Sequence, residues 1–270
     1  MRTHKVFRIQ YQDSEQLEEL SRLGFTPFLD NESGGWCLLR VATTHPSMPI
    51  LLDWIEREQT HHHCTIERSF SRREIRSATA LHIDIVEPES GSIVGDSMTI
   101  DPKQACDKCL RRTGNRASVL NDAQGSRSAA FLRGIEGELI VNRSIAMRMI
   151  SDGITGAVLE PILSTQLPDN PDPEYYRLVP VDRLPQVTSP PTTFSISQRE
   201  CNHCGRAGLR LNSMLYFDAP RDVFEDINVT SEVFGDGRLL SPEVVVSPRF
   251  YNILVSCGAH DMAPEPVVLV

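Results

Sequence analysis

The sequence predicts an α+β protein in two parts, a ferredoxin-like βαββαβ domain over residues 1–75 and a second domain over 76–270 that contains a duplicated strand-helix-strand unit. Three observations carry this prediction. Strand-like and helix-like segments alternate compactly between residues 5 and 68. An ungapped internal repeat relates residues 138–163 to 243–268. A Cys-x-x-Cys pair stands ahead of each copy of that repeat.

The first segment, "KVFRIQY", has the composition of a strand. Asp13 or Ser14 then caps the helix "SEQLEELSRL", whose Leu17, Leu20 and Leu23 share a face before Gly24 stops it. "FTPFL" reads as a short strand, "DNESGG" as a turn, and "WCLLRV" as a further strand in which Cys37 packs as a small hydrophobe. Pro49 opens a second helix with Ile50, Leu51, Trp54 and Ile55 on one side, and a strand follows around "CTIERSF". The order βαββαβ is that of a split βαβ sandwich. Ser71 and Glu74 have capping-box spacing and begin a connecting helix ahead of the strand-like "ALHIDIV". The run His61, His62, His63, Cys64 offers metal-ligand chemistry, but successive side chains on a strand point to opposite faces and do not converge on one ion.

In the second part, "ELIVNRSIAMRMISDGITGAVLEPIL" lies over "EVVVSPRFYNILVSCGAHDMAPEPVV" without a gap, and six of the 26 positions are identical. Each copy reads as a strand, an N-cap (Asn142 or Ser247), an amphipathic helix, a glycine at its C-terminal end, and an extended segment finishing in Glu-Pro. Ile145, Met149 and Ile150 are the expected buried residues of the first helix, and Phe250, Leu254 and Val255 those of the second. With their cysteine pairs the repeats span about residues 100–165 and 195–270. The Pro- and Asp-rich stretch from Gln166 to Pro191 reads as the link between them, with Tyr175 and Tyr176 packed on the core.

The cysteine pairs are Cys106 with Cys109 and Cys201 with Cys204. Two intervening residues let both sulfurs of a pair face one point, and two such turns supply the four soft ligands of a tetrahedral structural zinc site. Gly205 suits the left-handed backbone such a turn requires, and Leu110 stands in its place after the first pair. One zinc ion held by Cys106, Cys109, Cys201 and Cys204 would clamp the two repeats together. Two other readings stand beside it. A redox pair needs a helix starting at the cysteines, whereas Cys204 is followed by Gly205, Gly208 and the strand-like "LRLNSMLYF". Plain packing accounts for buried thiols but not for a duplicated pair. His203, between Cys201 and Cys204, could replace one thiolate.

Seven cysteines, four of them at metal-ligand spacing, indicate reduced thiols and a cytoplasmic setting. No apolar stretch reaches the length of a membrane span, and the N-terminus has no signal-peptide core. A net charge of −9 argues against a nucleic-acid partner and favours a basic one. The chain has no Gly-x-Gly-x-x-Gly, phosphate loop, His-Glu-x-x-His or Gly-x-Ser-x-Gly, so no enzyme motif is present. The carboxylates Asp218, Asp222, Glu225 and Asp226 read as a solvated face.

Over about residues 100–270 the chain resembles the double-CxxCG-motif proteins of myxobacteria and related bacteria, on the strength of the two cysteine pairs, Gly205 and the "EVVVSPRFYNIL" ending. The resemblance implies that Cys106, Cys109, Cys201 and Cys204 are the family cysteines. That family includes immunity proteins, which neutralise a toxin by binding it, so a non-catalytic protein that binds a basic toxin is the expectation. An enzyme with a thiol-redox or metal centre is the alternative.

Overall fold

The computed structural model describes residues 1–30, 35–85, 106, 108–109, 112–113, 131–133, 139–162, 173–198, 200–205, 207–235, 239–259 and 262–270. The fold is mixed α and β, with mostly antiparallel sheets and few helices. It divides into two compact units, Met1–Ser71 and Arg72–Val270.

The first unit runs β1 (Arg2–Gln10), α1 (Ser14–Arg22), β2 (Phe28–Asp30), β3 (Trp36–Ala42), α2 (Met48–Arg57) and β4 (His62–Ser69). The sheet order is β2-β3-β1-β4, with every neighbouring pair antiparallel. Asp13 caps α1 by accepting the Gln16 N–H at 3.1 Å, and Gly24 adopts φ +88° just past its end. Strand alternation turns Phe7, Ile9, Cys37, Leu39 and Val41 toward the helices, where they meet Leu20 of α1 and Leu51, Trp54 and Ile55 of α2 in one core. Both helices therefore cover the same face. Ile50, expected in that core, is 49% exposed; at one residue before Leu51 it turns about 100° away, and Met48 fills the place.

The second unit opens with α3 (Arg72–Ser77) and β5 (Leu81–Ile85), followed by β6 (Arg112–Thr113) and β7 (Phe131–Arg133). It continues with β8 (Leu139–Asn142), α4 (Arg143–Asp152), β9 (Ala157–Pro161) and β10 (Tyr175–Pro180). Then come β11 (Phe194–Gln198), β12 (Gly208–Leu211), β13 (Tyr216–Phe217), β14 (Ile227–Val229) and β15 (Leu239–Leu240). The chain finishes with β16 (Val244–Val246), α5 (Pro248–Ser256), β17 (Met262–Pro266) and β18 (Val268–Leu269). The expected strand over residues 209–217 is thus two strands, separated by a break at 212–215.

Two four-stranded sheets organise this unit, in the orders β7-β8-β10-β9 and β14-β16-β5-β17. In each, a strand, a helix and a second strand follow one another, and a third strand lies antiparallel between the two. The registers correspond. Tyr176 sits opposite Val141 and Pro161, and Leu81 sits opposite Val246 and Pro266. The central strands come from unequal places: β10 lies in the stretch expected to be only a link, and β5 precedes both repeats. Each repeat as bounded from sequence therefore lacks the strand that completes its sheet.

The two helices start and stop alike. Asn142 Oδ1 accepts the Ile145 N–H and Ser247 Oγ accepts the Phe250 N–H, each at 3.0 Å, and Gly153 and Gly258 take positive φ at the far ends. Ile145, Ala146 and Met149 pack with Phe250, Leu254, Leu81 and Leu178 in one core, which Tyr176 also joins. Ile150 and Val255, expected inside, are 63% and 40% exposed. Each lies five residues past the first buried position of its helix, about 140° round from it. Gly156, at φ +89°, passes so close to β14 that a Cβ there would lie 2.1 Å from the Ile227 carbonyl oxygen.

Candidate metal centre

The second cysteine pair is the tip of a hairpin. β11 and β12 pair antiparallel, and residues 201–205 make the turn between them, with the Gly205 N–H donating to the Cys201 carbonyl at 2.8 Å. Gly205 holds φ +67°, the left-handed conformation expected from its position after Cys204. The chain leaves this turn into β12, not into a helix, so the Cys201 thiol gains nothing from a helix N-terminus.

The first pair, Cys106 and Cys109, lies just ahead of β6, which runs parallel to β15. Leu110, the departure from the Cys-x-x-Cys-Gly pattern, lies outside the described residues. Cys106 is buried and the other three cysteines are half-buried.

The structure brings the two pairs together. Cys106 Sγ is 3.8 Å from Cys201 Sγ, Cys109 Sγ is 3.7 Å from Cys204 Sγ, and all four sulfurs lie within 4.8 Å of one another. A tetrahedron with metal–sulfur bonds of about 2.3 Å has edges of about 3.8 Å. The spacing is too long for a disulfide, whose sulfurs are about 2.0 Å apart. All seven cysteines are free thiols. The four could therefore hold a metal ion, and among the described residues they are the one such group of His, Cys, Asp or Glu.

Local hydrogen bonds prepare the first thiol of each pair for a cation. The backbone N–H groups of His203 and Cys204 donate to Cys201 and hold its thiol at about 6, well below its ordinary 9.0. The N–H groups of Cys109 and Lys108 do the same for Cys106, lowering it. The donors are the second and third residues after the first cysteine in both turns, so the two knuckles share one construction. Each favours thiolate, the form that binds metal. Burial pushes Cys37 the other way, up to about 11, consistent with a core thiol.

His203 is exposed and is not part of the sulfur group. The run from His61 to Cys64 enters β4 and forms no metal-ligand group among the described residues. Asp226 departs from the expected solvated face: it is only 9% exposed, and its carboxylate accepts the Thr155 N–H, the Ser247 hydroxyl and Arg249. It is a structural tie between the loop after α4 and the start of α5.

A second cluster escaped the sequence reading. His82, on the central strand β5, places Nε2 3.1 Å from Glu243 Oε2 and Nδ1 3.9 Å from Glu265 Oε2, with side chains only 11%, 15% and 16% exposed. Burial alone would lower its pKa, but the hydrogen bonds and charges of Glu243 and Glu265 outweigh burial and raise it from 6.5 to about 9. In the other sheet Arg177 stands at the corresponding register and pairs with Glu160. The signal was present: Glu160 and Glu265 are identical positions of the repeat.

No helix among the described residues is long and apolar enough to cross a membrane. Compared with models of protein families and with curated protein sequences, the chain matches none.

Proposed function

We propose that this chain is a non-catalytic, zinc-stabilised binding protein that acts as an immunity protein, neutralising a bacterial toxin in the cytoplasm by direct association. The observation that carries the reading is the closed set of four thiols, Cys106, Cys109, Cys201 and Cys204, at tetrahedral spacing. Four protein ligands leave zinc no open position for water or substrate, which is the mark of a structural site. Thiolate ligands select zinc or an iron–sulfur centre over harder cations, and the chemistry they supply is a cross-link between two distant turns.

The zinc would join two halves of one duplicated domain. The matched registers of the central strands, the paired N-caps Asn142 and Ser247, and the cations Arg177 and His82 facing Glu160 and Glu265 support that duplication. The first unit is proposed as a ferredoxin-like domain, supported by its β2-β3-β1-β4 antiparallel order and two helices on one face.

The toxin reading is tested by co-expressing the chain with the product of the adjacent gene. The expected result is abolished toxicity and a complex that survives purification. Rescue without a complex would favour the second class, an enzyme that uses the thiols or the metal, for which the lowered Cys201 thiol is the one supporting observation.

A further inference from the structure

Among the described residues, the three four-stranded sheets have six edge strands, and β4 differs from the other five. Those five run three to five residues, and the two of five residues carry prolines, Pro161 in β9 and Pro264 and Pro266 in β17. β4 has eight residues, no proline and an unbroken register with β1 from His62 to Ser69. Natural proteins keep edge strands short, bulged, charged or interrupted by proline, because their open backbone groups pair readily with another strand. The charges of β4, Glu67 and Arg68, stand together near its C-terminal end and leave the stretch from His62 to Ile66 unguarded.

The ladder shows which backbone groups face the open edge. The His61 carbonyl accepts the Gln10 N–H at 2.8 Å, so residue 61 is aimed at β1, and by alternation so are residues 63, 65 and 67. The N–H and C=O of His62, Cys64 and Ile66 therefore point away from β1. His62, Cys64 and Thr65 are exposed and Ile66 is 45% exposed, so none of the described residues covers this row.

We propose that two copies of this chain associate through β4, antiparallel about a twofold axis at Thr65, joining their four-stranded sheets into one continuous sheet. A partner strand must present backbone groups at alternate positions and apolar side chains opposite Cys64 and Ile66. A second β4 does both: with Thr65 on the axis, Cys64 of each copy faces Ile66 of the other, and Thr65 faces its own counterpart. Sliding the copies to put Ile66 on the axis sets Cys64 against Arg68, and putting Cys64 there sets Ile66 against His62. The Thr65 register is the one that matches polarity on both faces. Glu67 and Arg68 offset each other, so two chains of net charge −9 meet along a locally neutral strip.

The test is sedimentation of the full chain over a concentration series. One strand pair makes a small interface, so a mass twice 30.2 kDa should build up reversibly as the chain approaches about 100 µM. Ile66→Pro removes an N–H that faces the open edge and leaves the β1 ladder whole; it should weaken association by about tenfold or more without lowering the tryptophan-fluorescence melt. Thr65→Pro, which removes an N–H aimed at β1, should lower that melt. A second variant does not depend on proline being tolerated. In a Cys64→Ser background, Thr65→Cys should link two copies by a disulfide under a glutathione redox buffer, because a non-hydrogen-bonded antiparallel pair sets its Cα atoms about 4.5 Å apart. A chain that stays at 30.2 kDa up to about 500 µM, a dimer unaffected by Ile66→Pro, or a dimer that Thr65→Cys does not cross-link would each overturn the proposal.

Discussion

Raising the pH should loosen the second unit through one side chain, His82. Its imidazole is held between Glu243 and Glu265, and its pKa rises from 6.5 to about 9. A group raised in the folded state contributes stability that is fully present below pH 6.5 and disappears as pH climbs through 9. The shift corresponds to about 3 kcal/mol, most of it lost between pH 7 and 10. Both tryptophans, Trp36 and Trp54, lie in the first unit, so fluorescence reports that unit while far-UV circular dichroism also follows the second. Urea melts at pH 7 and pH 10 should therefore show a large alkaline loss in the circular dichroism transition that fluorescence does not share. The first sheet supplies the control, because Arg177 occupies the matching register and stays charged throughout. His82→Arg should flatten the pH dependence, and His82→Leu should cost about 3 kcal/mol at pH 7 by removing the cation from between the half-buried Glu243 and Glu265. An alkaline loss of the same size in wild type and His82→Arg would refute the reasoning.

Other outcomes follow from the backbone. Gly156→Ala puts a methyl group 2.1 Å from the Ile227 carbonyl at a positive φ, so the loop after α4 must part from β14; circular dichroism melts should show a loss of about 3 kcal/mol or more. Asn142→Ala and Ser247→Ala each remove an N-cap acceptor and should each cost about 1 kcal/mol. Ser247→Ala should cost more than Asn142→Ala, because the Ser247 hydroxyl also donates to the buried Asp226. Equal losses would argue that Asp226 is served by Thr155 and Arg249 alone.

Local physics was legible in the sequence. The Asp13, Asn142 and Ser247 caps, the glycines after the helices and the left-handed Gly205 each depend on residues within a turn of one another. The sulfur cluster was legible for a different reason: a thiol at Cys-x-x-Cys spacing has few other uses, and one such pair stands ahead of each copy of the sequence repeat. Strand partners were not legible, because β5 and β10 are joined to their neighbours by contacts that no local pattern encodes. Ile50, Ile150 and Val255 misled for a related reason, since apolar side chains occur on surfaces as well as in cores.

The metal centre is tested most directly by measuring metal content and sulfur coordination on purified protein, with X-ray absorption at the zinc edge. The account predicts about one zinc per chain, bound by four sulfurs at about 2.3 Å. It also predicts that Cys106→Ser or Cys204→Ser loses the ion together with much of the second unit's stability, since binding free energy at such a site is folding free energy. Metal-free protein that stays folded and ignores chelators, or a zinc shell with fewer than four sulfurs and an open position, would contradict it.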